Sequence, residues 1–274
     1  MTKVSPVDDT HLLTVLNVQA TERIISVREN GHSDANFILT NLMKKIFTEN
    51  DRLCLVIMHN TIGHYRNILK RLGQDVVETL QSGSLKVIEP LKTIATDDLG
   101  TLLHNKQAFV RDLFLDIRDK MNELLDETHN RVHLMIDDIS HLSDLGVDRK
   151  YIIAFVNYCV NLSLNPRVVV IINCHVSDTN DEIIWNSLQY ASNLCIDVSD
   201  LKTGFSSDVT GVITIKRCDR NELSAKSNTF HYKALDRVIK VFAPGESIYH
   251  LYNFDTMIIM LVRIVDYDNL VFVD

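Results

Sequence analysis

One run of apolar residues that ends in two carboxylates constrains the fold of this chain more than any other feature. Residues 132–136 are apolar apart from His133, and Asp137 and Asp138 follow them directly. Such a run predicts a strand covered on both faces, as in a parallel α/β sheet. In nucleotide-binding α/β proteins, an aspartate at the C-terminal end of such a strand meets Mg²⁺ as the Walker-B acid. The run therefore predicts an α/β sheet with two acids at its C-terminal edge.

The phosphate-binding half of a nucleotide site is missing from the sequence. The Walker-A pattern G-x-x-x-x-G-K-[ST] occurs nowhere in the 274 residues. The first strand-to-helix turn is predicted at residues 28–34, and its degenerate phosphate-loop position consists of Asn30, Gly31, His32 and Ser33. A phosphate loop needs several glycines and a lysine, whereas this turn has one glycine and the next lysine is Lys44. We interpret the turn as a helix start capped by Ser33 or Asp34 and expect no bound cofactor.

Strand and helix patterns alternate through most of the chain. Strands are predicted at residues 23–27, 53–58, 85–88, 132–138, 168–173 and 194–198, and helices at 34–47, 62–72, 99–127, 151–164 and 181–190. Three strands without helices follow at residues 209–217, 229–232 and 238–242. This order predicts a mostly parallel sheet flanked by helices, with antiparallel strands at its C-terminal edge.

Charge and cysteine content limit the partners and the compartment. The chain has 28 Lys and Arg against 36 Asp and Glu, a net charge of −8, so it is by itself a poor binder of nucleic acid. Its five cysteines are scattered without a C-x-x-C pair, which favours a reducing compartment. The N-terminus lacks a signal-peptide layout, and the apolar run at residues 257–262 is too short to span a bilayer. We expect a cytoplasmic or nuclear protein that contacts no membrane.

Asp137 and Asp138 have three interpretations. As a Walker-B pair they lack a phosphate loop in the same chain. As metal ligands they would join His133 and His141 in H-x3-D-D-x2-H, but His133 lies inside the predicted strand and cannot easily converge with His141. As structural acids they would accept hydrogen bonds from loop amides. We favour the structural interpretation and assign neither a catalytic residue nor a metal site.

Several segments together resemble the Elongator complex protein 6 family. The resemblance runs from about residue 53 to residue 245, and the segments that carry it are residues 133–146, 156–159, 168–172, 201–211, 230–233 and 241–245. The segment 201–211, followed by strands, is the most specific of them. We accordingly predict an N-terminal segment at residues 1–20, a RecA-like domain at 21–246 and a C-terminal extension at 247–274.

The resemblance implies a role that composition does not reveal. Members of that family have a RecA-like fold without a phosphate loop and form a hetero-hexameric ring with Elongator complex proteins 4 and 5, two copies of each. The ring engages tRNA and supports modification at carbon 5 of wobble uridines, while the radical chemistry belongs to the catalytic Elongator subcomplex. The implied function is that of a non-catalytic subunit, and we expect the edge around Gly31 and Asp137 to contact a neighbouring subunit.

The alternative is a divergent RecA-like ATPase. It would place Asp137 on Mg²⁺ and take a lysine or arginine from a neighbouring subunit. Nucleotide hydrolysis by the purified chain, lost on Asp137→Asn, would distinguish the two interpretations.

Overall fold

The described part of the chain forms one nine-stranded sheet with helices on both faces. The computed structural model describes residues 10–96, 104–127, 129–204, 206–218, 226–235 and 238–245. The strands are β1 (Ile24–Asn30), β2 (Arg52–Val56), β3 (Leu85–Ile88), β4 (Val132–Ile136), β5 (Val168–Val176), β6 (Leu194–Ser199), β7 (Gly211–Arg217), β8 (Lys226–Ala234) and β9 (Ile239–Phe242). The helices are α1 (Thr10–Leu16), α2 (Asn36–Thr48), α3 (Ile62–Arg71), α4 (Val76–Gln81), α5 (Pro90–Ala95), α6 (Lys106–Asp126), α7 (His141–Asp144), α8 (Arg149–Asn161) and α9 (Thr179–Ala191), and a 3₁₀ turn covers Leu162–Leu164.

The sheet has a parallel part and an antiparallel part. Its strand order is β3-β2-β4-β5-β1-β6-β7-β8-β9. Strands β1 to β6 pair in parallel, and β7, β8 and β9 extend the sheet in antiparallel pairs. The predicted fold class is confirmed. Because parallel strands all end at the same edge, the residues that follow β1, β2, β4 and β5 come close together.

Strand β5 shows why the parallel strands read as continuous apolar runs. Val168, Val170 and Ile172 pack into the core on one face of the sheet, and Val169 and Ile171 pack into the core on the other. Successive side chains of a strand point to opposite faces, so a strand covered on both faces needs an apolar residue at every position. Helices α6, α8 and α9 contribute to the first core, and α1, α2 and α3 to the second.

Strand β7 shows the alternation expected of the antiparallel extension. Gly211, Ile213 and Ile215 are buried, whereas Val212 and Thr214 between them are partly exposed. One face of this part of the sheet packs on the core and the other faces outward, as antiparallel sheets allow.

The predicted boundaries between β1 and α2 differ from the observed ones in two respects. Strand β1 continues to Asn30, because Glu29 pairs with His175 of β5 and with Val198 of β6. The polar character of residues 28–30 hid this pairing from the sequence pattern. The N-cap residue of α2 is Ala35, so neither Ser33 nor Asp34 holds that position, but Asp34 Oδ1 does accept from the amide of Asn36, the first residue of the helix.

Helix α1 packs on the same core as the rest of the chain. Leu12 and Leu16 are buried in it, and Arg217 donates to the carbonyl oxygen of Leu16 at 2.5 Å. The predicted division between residues 20 and 21 stays a prediction, as does the extension at 247–274, which lies outside the described residues. The first residues of the long predicted helix, 99–103, lie outside them as well. Among the described helices, none is long and apolar enough to cross a membrane.

Candidate functional site

The candidate site lies at the C-terminal edge of the parallel strands. It combines the turn after β1, the loop after β2, the two acids after β4 and the end of β5. These segments are far apart in sequence, and the strand order β2-β4-β5-β1 brings them together. This is the edge at which ligands bind in open α/β sheets.

Carboxylates of the chain itself accept hydrogen bonds from the backbone amides of the phosphate-loop turn and of the start of α2. Asp200 Oδ2 accepts from the amide of His32 at 3.1 Å, and Glu29 Oε1 accepts from the amide of Ala35 at 3.1 Å. Asp34 Oδ1 accepts from the amide of Asn36 at 2.7 Å. In a phosphate loop, such amides point at phosphate oxygens. Here internal anions already take them.

The turn itself is fixed to β6. Ser33 Oγ lies 2.8 Å from the carbonyl oxygen of Val198 and accepts from the amide of Asn30 at 3.0 Å. Gly31 has φ +67, and an added Cβ would lie 3.1 Å from Asp200 Oδ2. The glycine therefore permits both the left-handed backbone and the close approach of Asp200.

Asp137 acts as the acceptor for the loop that follows β2. Its Oδ1 accepts from the amides of Met58 at 2.5 Å and His59 at 3.1 Å. Its Oδ2 accepts from the amide of Asn60 and from the hydroxyl of Tyr65, each at 3.1 Å. The side chain is buried, with 2% exposure of the residue. The four donors engage both carboxylate oxygens, which is the structural role that the sequence favoured.

The two carboxylate oxygens of Asp138 have different surroundings. Its Oδ1 accepts from the amide and hydroxyl of Ser140, at 2.9 and 2.7 Å, and from the amide of His175 at 3.2 Å. Its Oδ2 faces His141, whose Nε2 lies 3.7 Å away. The His141 ring meets that of His59 nearly in parallel, with ring centroids 5.0 Å apart and a nitrogen-to-nitrogen distance of 2.7 Å.

His133 lies apart from this group. Its Nε2 is 2.9 Å from Asp51 Oδ2, next to the start of β2, at the other end of the parallel strands. The structure places His59 beside Asp138 and His141 instead. His59 directly follows an apolar run, as Asp137 does, so the rule that identified Asp137 could also have identified His59.

Glu29 and Asn173 connect the two halves of the edge. Asn173 Nδ2 donates to Glu29 Oε1 and to the carbonyl oxygen of Asp137, both at 2.8 Å. Glu29 Oε2 lies 3.4 Å from His175 Nδ1. Burial raises the pKa of the Glu29 carboxyl, and the hydrogen bond from Asn173 opposes that shift.

We expect Glu29→Gln to gain stability relative to the unchanged chain as pH rises. The folded-state pKa of Glu29 lies above its ordinary value of 4.5, so the stability linked to its proton is fully present below that value and is lost as pH rises through the folded pKa. Glutamine resembles the protonated carboxyl and keeps an oxygen for Asn173 and Ala35. Urea unfolding at about pH 4 and about pH 7.5 measures the difference. Exposed Glu78→Gln is the control, and an equal change for both variants would contradict this expectation.

A family model described as Elongation complex protein 6 matches residues 10–236 of this chain. Elongator complex protein 6 of Rattus norvegicus is 23% identical over 260 residues, covering 86% of this chain and 96% of that protein. Elongator complex protein 6 of Drosophila melanogaster is 26% identical over 238 residues, covering 84% of this chain and 94% of that protein.

Solved structures agree on the fold. A KaiC-like protein from Pyrococcus horikoshii OT3 superposes with a TM-score of 0.55 at 10% identity, covering 81% of this chain and 90% of that chain. An uncharacterized Pyrococcus horikoshii protein in complex with an unknown peptide gives a TM-score of 0.57 at 9% identity, covering 82% and 94%. At such identities the likeness shows a RecA-like fold alone. The family match, which spans most of the chain, shows more: the chain belongs to the Elongation complex protein 6 family.

Proposed function

We propose that this chain is a non-catalytic, RecA-like subunit of the Elongator complex. In this proposal it assembles with Elongator complex proteins 4 and 5 into a hetero-hexameric ring that holds two copies of each. The ring supports modification of tRNA at carbon 5 of wobble uridines, and the catalytic Elongator subcomplex performs the chemistry. The observation that carries the non-catalytic role is that Asp200, Glu29 and Asp34 accept hydrogen bonds from amides of the phosphate-loop turn and of the start of α2.

Charge around the turn supports this proposal. A bound triphosphate would have to displace three carboxylates that remain covalently attached beside it, and like charges at such short range repel strongly. Arg28 is the nearest cation along β1, and Glu182 and Asp197 engage its guanidinium at 2.5 and 3.8 Å. Arg28, the cation of β1, is therefore not free to neutralise a nucleotide as the lysine of a phosphate loop does.

The exposed part of this edge is a candidate contact for a neighbouring subunit. Gly31, His32 and Asp34 are exposed, whereas Asp137 lies beneath the loop after β2. The expectation that Asp137 itself contacts a neighbour is corrected by this burial. RecA-like subunits in a ring meet head to tail, so one such edge faces the next subunit.

The acidic net charge of the chain suggests that it contributes little to the binding of tRNA. A net charge of −8 repels a phosphate backbone, so more basic neighbours would supply most of the tRNA surface of the ring. The proposed place of action is the cytoplasm or the nucleus, where tRNA is modified in a reducing environment.

We expect co-expression with Elongator complex proteins 4 and 5 to yield a hetero-hexamer with two copies of this chain. Native mass measurement gives the stoichiometry directly. Asp34→Lys, on the exposed edge, is expected to weaken ring assembly at least about tenfold, because an unpaired lysine at an interface costs desolvation free energy. Glu78→Lys on α4 changes charge by the same amount at another exposed site and should assemble normally.

Three outcomes would contradict the proposed function. One is a stable monomer that ignores both partners, and another is a ring made of this chain alone. The third is Mg²⁺-dependent nucleotide hydrolysis by the purified chain, which would favour the ATPase alternative.

A further inference from the structure

We propose that His59, Asp138 and His141 bind a divalent transition-metal ion of the Zn²⁺ class. Each residue offers one ligand atom, and these atoms all lie within 4.8 Å of one another. The three residues come from the loop after β2 and from the segment between β4 and α8, so the fold assembles the group. This inference does not depend on the proposed ring.

Two of the three donor separations are close to those of a tetrahedral zinc site. His59 Nδ1 and His141 Nε2 lie 2.7 Å apart, and His141 Nε2 and Asp138 Oδ2 lie 3.7 Å apart. Bonds of about 2.0–2.1 Å to a tetrahedral ion place its ligand atoms roughly 3.3 Å from each other. Movements of about half an ångström would bring both separations to that value. The rotation of two partly exposed imidazoles can supply such movements.

A second set of residues orients the ligands. Asp144 Oδ2 lies 2.9 Å from His141 Nδ1, a contact that favours a proton on Nδ1. The lone pair of Nε2 would then be available to an ion held between His141, Asp138 and His59. Ser140 and His175 donate hydrogen bonds to Asp138 Oδ1, which leaves Oδ2 to bind the ion. Metal-binding histidines in proteins are oriented by carboxylates in this way.

Asp137 fixes the third ligand. It accepts from the amides on both sides of His59 as well as from that of His59 itself. The His59 backbone is thereby held against the end of β4, close to the buried carboxylate of Asp138. The two neighbouring aspartates thus have different roles, with Asp137 as a positioning residue and Asp138 as a ligand.

The donor types select the class of ion. Imidazole nitrogens suit Zn²⁺ and its transition-metal neighbours, whereas Mg²⁺ and Ca²⁺ prefer oxygen ligands. Three protein ligands leave a fourth tetrahedral position for water. The simpler explanation is a hydrogen bond between two histidines without an ion, and metal titration distinguishes it from a site.

The test uses the full-length chain. Titration with Co²⁺ should give the visible absorption of a four-coordinate ion at one equivalent, and Zn²⁺ should displace it. Asp144→Asn removes the carboxylate that orients His141 and should weaken binding by roughly tenfold. His59→Ala and His141→Ala remove ligands and should weaken it further. Zn²⁺ should also raise the melting temperature of the unchanged chain but of neither ligand variant.

His32→Ala is the matched control, because His32 is exposed and is not one of the three proposed ligands. It should bind Co²⁺ and Zn²⁺ as the unchanged chain does. Absence of a stoichiometric site in the unchanged chain would overturn the proposal, as would ligand variants that bind like His32→Ala. If either histidine variant unfolds, Asp144→Asn decides the matter, because the Asp144 side chain is 72% exposed and its replacement is expected to leave the fold intact.

Discussion

Asp137→Ala is expected to lower the free energy of unfolding by about 5 kcal/mol, since each buried donor left without a partner costs about 1–3 kcal/mol. The variant removes the acceptor of three backbone amides and of the Tyr65 hydroxyl. Some of these donors would reach water after the loop relaxes, so the full sum is not expected. Asp137→Asn keeps one acceptor oxygen and should lose about half as much.

Urea unfolding followed by circular dichroism measures this loss. Asp112→Ala on α6 is the matched control, because its side chain is 59% exposed and pairs with the adjacent Arg111. That variant should stay within about 0.5 kcal/mol of the unchanged chain. If Asp137→Ala were equally mild, the structural role of Asp137 would be refuted and a functional role at this position would gain support.

Gly211→Ala is expected to lower the free energy of unfolding by about 3 kcal/mol, the upper part of the range for overpacking a core. A Cβ on Gly211 would lie 2.6 Å from the carbonyl oxygen of Ser199 and 2.8 Å from Cε1 of Tyr232. The Ser199 carbonyl belongs to β6, which pairs with β7 along its length, so it cannot retreat without disturbing the ladder. Tyr232 is buried on β8 and has little room to move.

Gly63→Ala is the matched control for this substitution. Gly63 lies in α3, and the nearest atom to an added Cβ is Thr61 Oγ1 at 3.7 Å, an ordinary contact. Alanine is the better helix former, so this variant should gain about 0.5 kcal/mol. Thermal melts of both variants give the comparison. Similar melting temperatures for the two would show that the sheet accommodates the methyl group at Gly211.

The parallel strands could be predicted because burial leaves a direct mark on their composition. Strand β3 has the predicted bounds, and β4 and β5 begin at the predicted residues. A continuous apolar run of this length has few alternatives once a strand must be covered on both faces. The antiparallel strands were also predicted near their observed positions, and in β7 the side chains alternate between core and solvent.

The short helices escaped prediction for the opposite reason. Helices α4, α5 and α7 contain four to six residues, which is too short for a helical period to appear. Their formation depends on the neighbours that they pack against. Helix α1 was missed as well, because its burial depends on contacts with strands that come late in the chain, such as β7 through Arg217.

The site was half predictable. The sequence placed Asp137 at the sheet edge and favoured a structural role among three interpretations, and it showed the degenerate phosphate loop from its residues alone. The partner of that loop cannot be inferred locally, because Asp200 lies 168 residues from His32 in the chain. His59 joins Asp138 only through the pairing of β2 with β4, a contact that no spacing in the sequence encodes.

The carboxylates around Gly31 have a consequence for how this edge behaves in a cell. A functional phosphate loop has a nucleotide-free and a nucleotide-bound conformation, and the balance between them depends on the concentration of ATP. Here Asp200 and Glu29 accept from these amides as part of the fold, so the edge keeps one conformation without a bound nucleotide. A neighbouring subunit that binds this edge would contact the same surface at any concentration of ATP in the cell. In the ring proposed above, this chain would therefore hold the geometry of the assembly constant and would not couple it to ATP hydrolysis.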